Sequence, residues 1–169
     1  LHLNPFDTLL WTKLRQVAPA LNPMLLKMGF LCLLVGYGTK AGLAPMHSWL
    51  PDAHSQAPAP VSAIFSGFML NAALYCVLRY IPIVEITTGH TGWSLQLLVL
   101  FGLASVIVAA AFIIFQQDVK RLLAYCSVEH IGILALGVGL GGAGVFGSML
   151  HAVNHSLTKA MLFLLAGNI

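Results

Sequence analysis

The sequence predicts an all-α protein, a polytopic membrane bundle with about five transmembrane helices, the first broken near its end. Three observations carry this. The chain of 169 residues is 59% hydrophobic and only 8% charged, against roughly 25% charged in a soluble domain. Its mean hydropathy is +0.89. Its apolar residues form continuous runs near the ~20 residues that a bilayer core demands, without the alternation of barrel strands.

The elements follow in order. Residues 1–24 hold Pro5, Asp7, Lys13, Arg15, Pro19 and Pro23. They read as an interfacial loop with a short amphipathic helix around Phe6–Val17. The bundle is expected over 25–169. Its spans are expected near 25–44, 60–80, 94–115, 119–139 and 144–166. The third is the cleanest, with no charge from Thr91 to Gln117. The fourth fades into Gly137, Gly139, Gly141 and Gly142. Between the first two spans, prolines at 45, 51, 58 and 60 forbid one smooth helix. The stretch Met46–Leu50 is nevertheless too apolar for a water-facing loop. A break at Gly42–Pro45 and a half-helix over 46–54 satisfy both facts, as broken helices do where backbone lines a cavity. A plain loop with an interfacial Trp49 is the alternative. The chain lacks an initial methionine and stops just after an apolar run, so a piece of a longer protein is expected.

Composition also excludes classes. The formal net charge is +3, without a basic patch interleaved with aromatics, which argues against a nucleic-acid surface. Cys32, Cys76 and Cys126 lie apart in apolar stretches and form no Cys-x-x-Cys pair. They read as small packed thiols, not as ligands or a disulfide framework. No cofactor and no metal is expected.

The chemistry sits where charge is expensive. Lys159 lies in the fifth span behind His151 and His155. An ionisable side chain at the centre of a span costs about 2.5–3.5 kcal/mol, and such a residue is by default a candidate ion site. Steps of four residues turn by about 40° and rise about 6 Å, so the three make a slowly winding stripe. Histidine titrates near neutral pH, and a lysine taken out of water also trades its proton more readily. Bridging waters can lie beside Ser148, Asn154, Ser156 and Thr158. Polar glue between helices suits the hydroxyls but not Lys159. A bis-histidine haem needs partners on other helices, because His151 and His155 point the same way.

Lys40 stands just before the break. It reads as a functional buried lysine, with snorkelling from a helix end as the alternative. Glu129 and His130 diverge by about 100° on the fourth span; each is either a structural ion-pair partner or a relay member. His47 and His54 flank the break as solvated loop histidines or as parts of an access path. Asp118 reads as an N-cap, with Lys120 and Arg121 as interfacial anchors. Gly38-x-x-x-Gly42 is a weak packing motif. Charge counting puts Lys13, Arg15, Lys27 and Arg79 on the cytoplasmic side.

Three segments carry a resemblance. They are Thr39 to Ala53 with Pro60-Val61-Ser62-Ala63; Asp118 to Ser127 with Ile131-Gly132; and His151 to Leu162. They resemble the antiporter-like membrane subunit shared by respiratory complex I, multi-subunit cation/proton antiporters and membrane-bound hydrogenases. The run Ser127-Val128-Glu129-His130-Ile131-Gly132 looks most like the hydrogenase-4 component F branch. The resemblance implies two inverted five-helix repeats, with this window as the seventh to eleventh helix. It implies Lys40 as the channel lysine of the broken helix, and His151, His155 and Lys159 on a central hydrophilic axis. The glutamate that pairs with Lys40 and the terminal channel residue would lie outside this window. Ser66 and Asn71 replace a histidine and a lysine of some relatives, which implies a shorter or rewired relay there. The family pattern puts the Lys120–Arg121 turn on the cytoplasmic side; it outweighs the charge count, since six charges decide little.

The expectation is a proton- or sodium-translocating subunit of a hydrogenase or quinone-reductase complex, in a prokaryotic inner membrane. Its partners would be other membrane subunits and the lipid bilayer. A sodium/proton antiporter subunit and a passive anchor for a soluble enzyme are the rivals.

Overall fold

A computed structural model describes residues 10–167. The first part of the expected amphipathic helix, residues 6–9, lies outside the described residues. The rest forms α1, Trp11–Val17, followed by a 3-10 turn, Ala18–Ala20. α2 runs Pro23–Ala41, α3 Trp49–Gln56, α4 Ala59–Ile64 and α5 Leu70–Thr87. α6 is Trp93–Ile113, α7 Val119–Leu140 and α8 Ala143–Ala166. No strand occurs among the described residues.

α2 begins where sequence chemistry starts a helix. Asn22 caps it, accepting from the amides of Met24 and Leu25, and Pro23 occupies the first position. It ends at Gly42, whose φ of 79° is the left-handed conformation that favours glycine. The Leu43 amide donates back to the Gly38 carbonyl at 2.9 Å. A Cβ on Gly42 would also stand 2.6 Å from Leu50. The chain then turns through 42–48 and re-enters helix at Trp49. The break is thus where expected, but the half-helix starts and ends later than 46–54.

The second span differs more. α4 and α5 are continuous across a π-helical stretch, Phe65–Met69. Together they form a single 29-residue apolar element, Ala59–Thr87, longer than the expected 60–80. Pro82 lies inside α5 without ending it. A proline within an apolar pattern is a poor stop signal when neighbouring helices take up the freed carbonyl.

Four helical elements are long and apolar enough to cross a membrane: α2, α4–α5, α6 and α7. α8, the fifth expected span, has 24 residues, ample for a ~30 Å core. Its histidines, Asn154 and Lys159 dilute its apolar character. Short connections at 88–92, 114–118 and 141–142 make successive long helices antiparallel. One end of the bundle therefore gathers α1 with the starts of α2, α6 and α8 and the ends of α5 and α7.

α6 and α7 pack backbone to backbone. A Cβ on Gly132 would stand 2.8 Å from the Gly102 carbonyl, and one on Gly102 would stand 2.7 Å from the Gly132 carbonyl. Glu85 joins α5 to α6: its carboxylate accepts from the amides of Gly92 and Ser94 and from the Ser94 hydroxyl. Asp118 accepts from the Arg121 amide at 3.0 Å, the N-cap expected for α7.

Candidate functional site

Ser148, His155 and Lys159 of α8 are buried in the bundle, whereas Asn154 and Thr158 are exposed. Lys159 and His155 are each 3% exposed. The Lys159 amine donates to the Leu123 carbonyl of α7 at 2.9 Å. Glu129 of α7 lies within electrostatic reach of that amine. No hydrogen bond of Glu129 is present among the described residues, so it acts on Lys159 as a nearby charge.

His130 is the residue that turns the stripe into a cluster. Its Nδ1 lies 2.9 Å from His151 Nε2. Its ring centroid is 5.0 Å from that of His151 and 5.3 Å from that of His155. Two neutral imidazoles at hydrogen-bond distance share one proton between a donor and an acceptor nitrogen. The path between His151 and His155 therefore crosses to α7 and back. Of the adjacent pair Glu129–His130, it is His130 that touches the stripe.

Asn71 orients His155. Its amide Nδ2 donates to Ser156 Oγ at 2.8 Å and to the Gly67 carbonyl at 3.2 Å. It stands 3.5 Å from His155 Nδ1. The Gly67 and Ala152 carbonyls and Ser156 Oγ fix which end of the amide is nitrogen, and that end stands against the edge of the His155 ring. His155 Nε2 and Asn71 Oδ1 are buried without a protein partner; polar atoms of this kind are normally met by ordered water. Asn71 lines a crevice between α5 and α8, whereas a different cavity, of about 230 Å³, adjoins His155 and is lined also by Cys126, His130, His151 and Lys159. That is room for several waters, since each needs only about 10–15 Å³ of such space. Nearby, Ser66 and Ser127 share a buried hydrogen bond of 2.7 Å.

Two expected placements differ. Lys40 is exposed on the outer face of α2 and is not joined to the cluster. It sits beside grooves lined by Cys32, Tyr37, Thr39 and Trp49. A helix of the bundle buries a residue only where a neighbour covers its face, and no described helix covers this one. His54, read mainly as a solvated loop histidine, is 1% exposed and stacks on Phe163 at 4.9 Å. Neither of its ring nitrogens has a protein partner. The signal was its spacing: Leu50 and His54 are one turn apart and share the buried face of α3. His47 is half-buried and meets Tyr125 edge-on at 6.4 Å. No group of three or more metal-ligating side chains converges among the described residues.

Known proteins resemble this chain in sequence and fold. Residues 6–169 match the family described as NADH:quinone oxidoreductase/Mrp antiporter, transmembrane. A hydrogenase-4 component F homolog of Methylacidiphilum infernorum is 46% identical over 160 residues, covering 94% of this chain and 33% of that protein. Hydrogenase-4 component B of Escherichia coli is 37% identical over 162 residues, covering 89% of this chain and 24% of its own length. The Mrp complex from Dietzia contains a chain that superposes with a TM-score of 0.74 at 24% identity, over 94% of this chain and 33% of that one; the likeness is one of fold. The chain thus spans about a third, or less, of the length of these relatives. With the match running over nearly every residue, the chain belongs to the NADH:quinone oxidoreductase/Mrp antiporter transmembrane family, a polytopic membrane family.

Proposed function

We propose that the complete protein is an ion-translocating membrane subunit of a hydrogenase-type or NADH:quinone-reductase-type complex, and that protons move through the α7–α8 cluster. One observation carries this reading: a lysine 3% exposed inside a membrane-length helix, beside three histidines joined through His130. An amine in that place costs insertion free energy that a purely structural helix has no need to spend.

His130 and His151 pass a proton across a 2.9 Å contact. His155, held by Asn71, presents Nε2 to water. Lys159 receives or releases the proton at the far end of the stripe, under the influence of the Glu129 charge. Changes in neighbouring charge, relayed from partner subunits, shift which member holds the proton. Lys40 serves a second site completed by parts of the protein beyond this chain. The partners are other membrane subunits of the complex, and the location is the inner membrane of a prokaryote.

The test uses the full-length protein in its complex, reconstituted into vesicles. Lys159→Ala is expected to insert normally and to lose ion pumping. Unchanged pumping would remove Lys159 from the mechanism. Loss of sodium flux with proton flux retained would favour a sodium-specific antiporter. Retention of full flux when Lys40 and Lys159 both become leucine would leave only a passive anchor.

A further inference from the structure

The end of the bundle that carries α1 holds four basic residues, Lys13, Arg15, Lys27 and Arg79. Two of them share one indole. The Arg79 guanidinium lies 4.1 Å from the Trp11 ring centroid, and the Arg15 guanidinium lies 5.9 Å from it. Trp11 is itself fixed, donating from Nε1 to the Arg79 carbonyl at 2.9 Å. Two guanidiniums at one indole form a positive site, and no carboxylate pairs with either among the described residues. The carboxylate of this end, Glu85, is spent on the amides of α6. Arg79 uses one of its five donors on the Tyr75 hydroxyl at 3.0 Å, leaving the others open.

Tyr75 is also the upper wall of an apolar crevice of about 510 Å³ between α5 and α8. Phe68, Ala72, Tyr75 and Leu78 line one side, and Met149 and Val153 the other. The crevice closes at the crossing of the two elements, where a Cβ on Gly67 would meet the Ser156 carbonyl at 2.9 Å. From Phe68 to Leu78 the helix rises about 15 Å, which is one leaflet of a ~30 Å core. A positive headgroup site thus stands beside a leaflet-deep apolar slot, joined to it through Tyr75.

We propose that this end binds one anionic phospholipid. Its phosphate is held by Arg79 and Arg15 over Trp11, and one acyl chain lies in the α5–α8 crevice. Guanidinium groups suit phosphate because they present paired donors in a fixed plane. The crevice is almost wholly apolar, as an acyl chain requires and a free anion does not. The inner end of the crevice reaches Asn71 and Ser156, beside His155, but the proposal does not depend on the translocation reading.

The experiment is lipid retention by the full-length protein, purified in mild detergent and weighed by native mass spectrometry. Delipidated protein is then exposed to nanodiscs of phosphatidylglycerol or of phosphatidylcholine. The wild type is expected to retain one phosphatidylglycerol and no phosphatidylcholine. The double variant Arg15→Gln/Arg79→Gln removes the headgroup charges, and Ala72→Phe fills the slot. Each is expected to lower retention at least about tenfold, a loss that corresponds to little more than one charge-assisted contact. Melting temperature checks that each variant folds, and either folded variant suffices. Equal retention by a folded variant would overturn the proposal. So would retention indifferent to headgroup, displacement by inorganic phosphate alone, or a density map placing a protein helix in the crevice.

Discussion

α7 packs against two neighbours in opposite ways. Towards α6 it brings backbone onto backbone, with Gly132 over Gly102 and Gly139 against Leu95 and Val99. Towards α8 it presents His130, Cys126 and the Leu123 carbonyl, and the two helices enclose a cavity. The first interface is dry and closes by van der Waals contact, the usual means of helix association in lipid. The second is polar and leaves room for water. One helix thus serves as a rigid wall on one side and as half of a wet seam on the other. Backbone contact on the α6 side fixes the position of α7, and with it the His130 ring that stands 2.9 Å from His151 on the α8 side.

The largest effect that tests this contrast lies on the dry side. Gly132→Leu would drive a side chain into the Gly102 carbonyl, Ser105 and Val106, all within 3.1 Å of its Cβ. The Val106 methyl can move aside, but all three obstacles belong to α6, and the Gly102 carbonyl and Ser105 Cβ are fixed to its backbone. Overpacking of this kind costs about 1–3 kcal/mol and occasionally more. The purified full-length protein should melt well below wild type, with transport lost in proportion. An unchanged melting temperature would show that α6 and α7 can part cheaply, and the rigid-wall account would fail.

A smaller change in stability, but a specific loss of function, is expected on the wet side. His130→Leu removes the partner of His151 and the ring beside His155. The variant should insert and melt close to wild type while proton flux falls by on the order of 10²-fold, the low end for loss of a proton-transferring group. Flux measured with a pH-sensitive dye in vesicles decides it. Full activity would mean that the stripe of α8 carries protons by itself, as four-residue spacing alone suggests.

How much of this was legible follows from what sequence periodicity encodes. Asp118 announced the start of α7 because an N-cap is local chemistry. Lys159 announced itself because a charge in an apolar helix has few uses. His151, His155 and Lys159 share a face by helical arithmetic alone. The contact of His130 with His151 spans 21 residues and two helices, and no local pattern specifies which faces of two helices meet. Lys40 looked buried for the same reason that Lys159 did, namely an apolar neighbourhood in sequence. The difference is tertiary: α7 and the α4 end close over Lys159, whereas nothing among the described residues covers that side of α2. The π-helical stretch at Phe65–Met69 was likewise invisible: Gly67 weakens a helix without specifying a widened turn, and the partners of Ser66 and Gly67, namely Ser127 and Ser156, lie on helices distant in sequence.

The smallest expected effect marks where the wet seam ends. Arg121, on the first turn of α7, pairs with Asp52 of α3 at 3.1 Å, with side chains 44% and 69% exposed. Exposed pairs contribute about 0–1 kcal/mol, and salt screens them. Asp52→Asn should therefore lower stability by less than about 1 kcal/mol, and less still in high salt. Flux through the complex should stay near wild type, because solvent already competes for both charges. Yet the same turn carries a buried Arg121 Nε without a partner, and α3 carries the orphaned ring of His54 between this surface and Phe163. If Asp52→Asn cut flux severalfold while leaving the melting temperature alone, the polar seam would have to continue past Lys159 to the surface. α7 would then be wet along one whole face, from His130 past the Leu123 carbonyl to its first turn.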